Sequence, residues 1–81
     1  MPNPIHDARY TLFRELIIEA RKDAKLKQAE VAERLGKNQS FVSKYERGER
    51  RLDLPEFVDV CEAIGIDLEK FLQVYKGKLK Q

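Results

Sequence analysis

Residues 38–51 read NQSFVSKYERGERR. At helical spacing, Gln39, Ser40, Ser43 and Lys44 put hydrogen-bonding side chains on one flank of this stretch, while Val42 and Tyr45 fall on the other. A Gln carboxamide can pair bidentately with adenine, a Lys ammonium suits the N7 and O6 of guanine, and a Ser hydroxyl takes several partners. Lys37 and Asn38 precede this face, and Arg47, Arg50 and Arg51 follow it around Gly48. Such groups can read and hold a polyanion. Taken alone, a polar helix face is more often simply solvated, so its meaning depends on what surrounds it. No other constellation competes with it. The chain shows no Gly-rich phosphate loop and no nucleophile beside a base. Cys61 and His6 are the only cysteine and histidine, which leaves no internal disulfide and no zinc set. Cys61 reads as a core residue, and Glu30 and Glu33 as surface charges. No enzyme, metal, cofactor or small-molecule ligand is expected.

Bulk properties set the scale. Eighty-one residues make one small domain, which buries only about 60–65% of its unfolded surface. Tight helix packing, a partner subunit or a ligand must then supply the rest of the stability. The net charge is +2, but it is unevenly spread. Residues 27–51 carry seven Lys and Arg against four Glu, whereas residues 52–81 carry four Lys against six acids. A basic middle and an acidic end suit a nucleic-acid face on the middle segment, although charge alone does not exclude an ordinary mixed surface. The N-terminus MPNPIHDARY lacks the apolar core of a secretory signal, and no run approaches the roughly 18 apolar residues of a membrane span. A cytoplasmic protein without a membrane partner is expected.

Five helices must position the polar face. Phe13, Leu16, Ile17, Ala20 and Ala24 form one stripe of a first helix that Asp7 can cap and that ends near Lys25. Residues 1–6, with Pro2, Pro4 and His6, read as a flexible leader. A second helix spans Gln28–Leu35, with Ala29, Val31, Ala32 and Leu35 inward, and Gly36 stops it. A third spans Gln39–Arg47 behind Asn38 as N-cap, with Val42 and Tyr45 inward, Phe41 at the rim and Gly48 at its end. Pro55 suits the first position of a fourth helix that runs to Ile64 and buries Phe57, Val58, Cys61 and Ile64. Asp67 caps a fifth over residues 68–76, with Leu68, Phe71, Leu72 and Tyr75 on one stripe, followed by a basic tail at 77–81. Nothing alternates with period two, so no strand is expected. The chain reads as an all-α, compact five-helix bundle, with residues 7–76 as its domain.

The connection GKN between the second and third helices forces a sharp crossing. Ala32 is small where the helices meet, Gly36 turns the chain four residues later, and Val42 and Tyr45 lock the third helix back onto the second. This is the helix-turn-helix arrangement. The segment LKQAEVAERLGKNQSFVSKYERGERRLDLPEF resembles the phage-repressor type of helix-turn-helix domain, the lambda, 434 and Cro-like or XRE-type group. The resemblance covers about residues 9–75.

The resemblance implies a lambda-repressor-like bundle whose third helix enters the DNA major groove. It implies base reading by Gln39, Ser40, Ser43 and Lys44. It implies backbone contacts by Gln28 at a helix N-terminus, by Asn38, and by Arg47 as a phosphate clamp, with Lys37, Arg50 and Arg51 adding charge. Arg21 and Glu46 match an internal ion pair joining the first helix to the third. Lys27 departs from the family, which usually has Ser or Thr there as N-cap. A Lys cannot accept from the helix N–H groups, and its cation suits that helix end when a phosphate lies against it.

The function implied is a sequence-specific, double-stranded-DNA-binding transcriptional regulator, a repressor more than an activator. It would act as a homodimer on a palindromic operator with half-sites about 10–10.5 bp apart or a multiple of that. The expected dimer surfaces are the loop before Pro55 and Ile66–Leu72, extended by Val74, Tyr75 and Leu79. An antitoxin or a protein-interaction module on the same fold is the competing class. A pure interaction module would have no need of the Gln28, Gln39, Lys44 and Arg47 pattern.

Overall fold

The computed structural model describes residues 7–81, so the expected leader at 1–6 lies outside the described residues. Five helices follow in order: α1 (Ala8–Asp23), α2 (Gln28–Leu35), α3 (Gln39–Arg47), α4 (Leu54–Ile64) and α5 (Leu68–Leu79). No strand occurs among the described residues. Helix α2 packs on α3 and α4, and α1 packs on α3 and α5. The all-α five-helix bundle expected from periodicity is therefore the observed fold.

Local chemistry sets most boundaries. The Asp7 carboxylate accepts from the Arg9 N–H at 2.9 Å and starts α1. That helix ends when Lys25 turns to φ 60°, which lets the Leu26 N–H reach the Arg21 carbonyl at 3.2 Å. Ala24 lies past the last turn and is exposed, contrary to its place in the predicted stripe. Gly36 adopts φ 69°, a conformation that costs most residues a Cβ clash, and the Lys37 N–H bonds back to Ala32 at 2.9 Å. Only seven residues past Ala32, Gln39 opens α3.

Two boundaries differ from expectation. Helix α4 starts at Leu54, one residue before Pro55, because Asp53 and Glu56 cap each other's backbone N–H groups at 2.8 and 3.0 Å. Pro55 then sits in the first turn, where no N–H has an intrahelical partner anyway. Helix α5 runs through Leu79 rather than stopping at 76. Its end is held to α1 by the Tyr75 hydroxyl, which donates to the Arg9 carbonyl at 2.9 Å.

The core is centred on Ile17, Val31, Val42, Tyr45 and Val60, all fully buried. Phe13, Phe57 and Phe71 form an aromatic cluster beside it, with ring centroids 4.9 to 5.9 Å apart. Ala32 is buried at the α2–α3 crossing, as its size requires. Val60 was missing from the expected stripe, Val58 is only half-buried, and Ala29 and Leu72 are exposed. Helix α4 lies deep enough to bury Val60, Ala63 and Ile64 together, a wider face than one stripe. Cys61 is buried in this core, and burial pushes its thiol up to about 11.

Candidate nucleic-acid interface

The inner face of α3 is fastened first. Arg21 of α1 donates to the Glu46 carboxylate through Nε at 2.7 Å and Nη2 at 3.0 Å. Its Nη1 donates to the Leu26 carbonyl at 2.8 Å. Both side chains of this pair are nearly excluded from water. Arg14, one turn-pair earlier on α1, donates to the Glu46 carbonyl at 2.8 Å and lies across Gly48, where an added Cβ would come within 3.0 Å of its Nε. The glycine at the end of α3 thus serves both its φ of 81° and the approach of this guanidinium. Sequence reasoning missed Arg14, since nothing local marks a side chain that reaches across 32 residues.

The polar network continues outward. Gln28, the first residue of α2, donates from Nε2 to Glu46 Oε1 at 2.8 Å. Its Oε1 accepts from Gln39 Nε2 at 3.4 Å. Arg21, Glu46, Gln28 and Gln39 therefore form one chain of contacts from α1 to the start of α3. Gln28 is half-buried and Gln39 exposed, so the chain ends at the outer face with one carboxamide oriented by another. Gln28 was expected as a backbone contact. Its side chain is engaged inward here, while its backbone N–H stands in the first turn of α2.

On the outer face, Ser40 and Lys44 are exposed and Ser43 half-buried. Asn38 holds the extended backbone of an N-cap without a side-chain bond to the helix N–H groups. Its Oδ1 accepts instead from the Ser40 hydroxyl at 2.6 Å. Lys27 likewise makes no side-chain cap bond, and its own N–H is satisfied by Glu30 at 2.8 Å. Glu30, expected as an idle surface charge, supports the start of α2.

The three cations at the far end of α3 are not equivalent. Arg47 donates through Nε and Nη2 to the two Glu49 oxygens at 2.7 and 3.2 Å, and through Nη1 to the Ser43 hydroxyl at 2.5 Å. This pairing holds the Glu49 carboxyl below its usual range. Arg50 donates to both Glu56 oxygens at 3.0 and 2.6 Å and stacks 4.7 Å over the Phe41 ring. The Arg50 bonds, followed by the Asp53 N–H, bring the Glu56 carboxyl down to about 2. Arg51 lies 4.3 Å over Tyr10. Lys37 approaches the other side of this region, 5.6 Å from the Phe41 centroid. Phe41 itself is half-buried, packing edge-on against Tyr45 at 5.7 Å. Among the described residues, Lys27, Lys37 and Lys44 form no ion pair.

Gln28, Gln39, Ser40, Ser43, Lys44 and Arg47 are thus gathered along one side of the molecule. Lys27 stands at the start of α2, Lys37 and Asn38 at the start of α3, and Arg50 in the loop beyond it. Such a helix, fastened on one face and polar on the other, can enter a groove and present donors and acceptors to base edges. A helix-turn-helix family model matches residues 17–71. Among solved structures, an XRE-family like protein from Pseudomonas syringae pv. tomato str. DC3000 is 49% identical, with a TM-score of 0.85 over 91% of this chain and 90% of that one. No curated protein matches the chain.

Proposed function

Because the chain belongs to the XRE-type helix-turn-helix family, a family of DNA-binding regulators, we propose that it is a sequence-specific repressor acting as a homodimer on a palindromic operator. The observation that carries this reading is the Arg21–Glu46–Gln28–Gln39 chain. It makes an outward carboxamide continuous with a buried ion pair. A merely solvated face has no need of such support. Gln39, Ser40, Ser43 and Lys44 then read base edges. Lys27, Gln28, Lys37, Asn38 and Arg50 hold the backbone, the first two at the N-terminus of α2, where the helix dipole favours phosphate. Repression follows from occupancy of the site.

One recognition helix spans too few base pairs for useful selectivity, and a second copy supplies the rest. On α5, Leu68 and Tyr75 pack half-buried against the core, and Leu72 and Leu79 flank them at helical spacing as exposed apolar residues open to a second copy. Leu72 and Leu79 are 44% and 41% exposed, and Leu54 is 69% exposed before Pro55. An antiparallel pair of α5 helices would bring the acidic start of one, at Glu69, toward the lysines at the end of the other, at Lys76 and Lys78. That charge match supports two-fold pairing through this helix.

A binding selection from a random duplex pool, followed by sedimentation on the enriched duplex, tests the proposal. An enriched palindrome occupied by two copies is the expected result. Binding without any sequence preference would reduce the protein to a basic surface. A monomer on a two-half-site duplex would remove the dimer. Lys44→Ala should relax preference at one base pair in each half-site, and a uniform loss on every sequence would remove Lys44 from the readers.

A further inference from the structure

We infer that Arg47 is a base-reading, specificity-determining residue, and that Glu49 is the positioning residue that aims it. This rests on the DNA-binding reading above and changes one role within it. The resemblance places Arg47 among the phosphate contacts, but three features of its geometry point to base edges.

The first feature is its position. Ser40, Ser43, Lys44 and Arg47 stand at i, i+3, i+4 and i+7 on α3, which is one stripe of a helix. Arg47 therefore belongs to the groove-facing stripe itself. Helical side chains also lean toward the N-terminus. The bond from Arg47 Nη1 to the Ser43 hydroxyl at 2.5 Å ties one end of the guanidinium back to the stripe, while Nε and Nη2 meet Glu49 beyond Gly48.

The second feature is the donor count. A guanidinium has five N–H groups. Glu49 takes one from Nε and one from Nη2, and Ser43 takes one from Nη1. One N–H on each terminal nitrogen is left over. Two donors on neighbouring terminal nitrogens match the O6 and N7 acceptors of guanine, the commonest specific arginine contact in the major groove.

The third feature is charge. A carboxylate bound side-on neutralises the guanidinium and would stand against a phosphate sharing the same cation. A clamp on the backbone is weakened by such a neighbour, and the same holds for Arg50 beside Glu56, so charge supports the reading only together with the place of Arg47 on the stripe. A base edge is neutral, and a fork reading it gains from being held in one rotamer. Glu49 differs in this from Glu56, which is also tied to the Asp53 N–H as part of a helix cap. The Glu49 carboxylate bonds Arg47 through both of its oxygens.

The test compares wild type, Arg47→Ala, Glu49→Gln and Glu49→Asp on duplexes from the selection, each with single-base variants and a scrambled control, across a range of salt. Both positions are exposed, so the variants are expected to fold. For a reader, Arg47→Ala should lower affinity for the selected duplex about tenfold, abolish preference at one G·C pair and leave the scrambled duplex nearly unchanged. Glu49→Gln should blunt preference at that same pair while binding to the scrambled duplex rises, because a negative charge has gone. Glu49→Asp should restore part of the preference. The role is overturned if Arg47→Ala weakens every duplex alike and reduces the salt slope by about one, the mark of a phosphate contact. The positioning role is overturned if Glu49→Gln strengthens all duplexes equally with base preference intact. If wild type binds no duplex, the DNA-binding reading falls with it, an outcome distinct from either of these.

Discussion

Glu46 and Arg47 are adjacent in the chain and face opposite ways. On the inner face of α3, Glu46 meets Arg21 at 2.7 Å with side-chain exposures of 6% and 11%. On the outer face, Arg47 meets Glu49 at the same 2.7 Å with exposures of 57% and 54%. Distance therefore does not separate the two pairs. The inner pair has lost most of its water, and its members depend on each other and on Gln28 for the bonds that water once supplied. Such a pair adds orientation more surely than net stability, yet removing one member is severe. The outer pair remains solvated and is worth little to the fold. It can serve as an aiming device because its contribution to folding is small.

The largest test of this contrast is Arg21→Met. It strands the Glu46 carboxylate and should lower stability by about 3–5 kcal/mol, read by urea denaturation. Base preference of the fraction still folded should not change. A loss below about 1 kcal/mol would erase the difference between the two faces. Next in size is Gly48→Ala, at the junction of both. Its positive φ should cost roughly 1–2 kcal/mol, with Arg14 shifting to admit the new methyl. A neutral result would mean that the end of α3 relaxes freely. Arg47→Ala should change the unfolding midpoint least of the three, because its pair with Glu49 is solvated, despite its effect on binding. A loss as large as that from Arg21→Met would make the outer pair structural after all.

The smallest expected effect concerns pH. The Arg50 bonds and the Asp53 N–H hold the folded Glu56 carboxyl near 2 against an ordinary 4.5. A depressed value means that its contribution is complete above 4.5 and fades as pH falls toward 2. Glu56→Gln should therefore flatten the acid limb of a stability–pH curve within that window and leave its neutral limb parallel to wild type. An unchanged acid limb would show that the pairs on this surface are too well solvated to register.

The sequence alone determined the five helices, because their signals are local. Asp7 and Asp67 cap the helices that follow them, Gly36, Gly48 and Gly65 take up positive φ, and apolar residues recur at helical spacing. The helix-turn-helix and its family were legible in the same way, since Ala32, Gly36, Val42 and Tyr45 answer to one tight crossing. Local signals placed the start of α4 one residue late, where the Asp53–Glu56 capping box outweighed Pro55 as a marker. They ended α5 three residues early, at Lys76, and gave no sign of the bond from Tyr75 to Arg9, which lie 66 residues apart. Tertiary structure also decided what each polar side chain is bonded to. Gln28 turns inward to Glu46 across 18 residues, and Arg14 reaches the end of α3 across 32. Even the short step from Arg47 to Glu49 needed the turn at Gly48 to bring the carboxylate beside the guanidinium. Spacing can say that a side chain faces outward. Its partners are set by the packing of α1, α2 and α3 together, because hydrogen bonds depend on where atoms meet in space and not on separation along the chain.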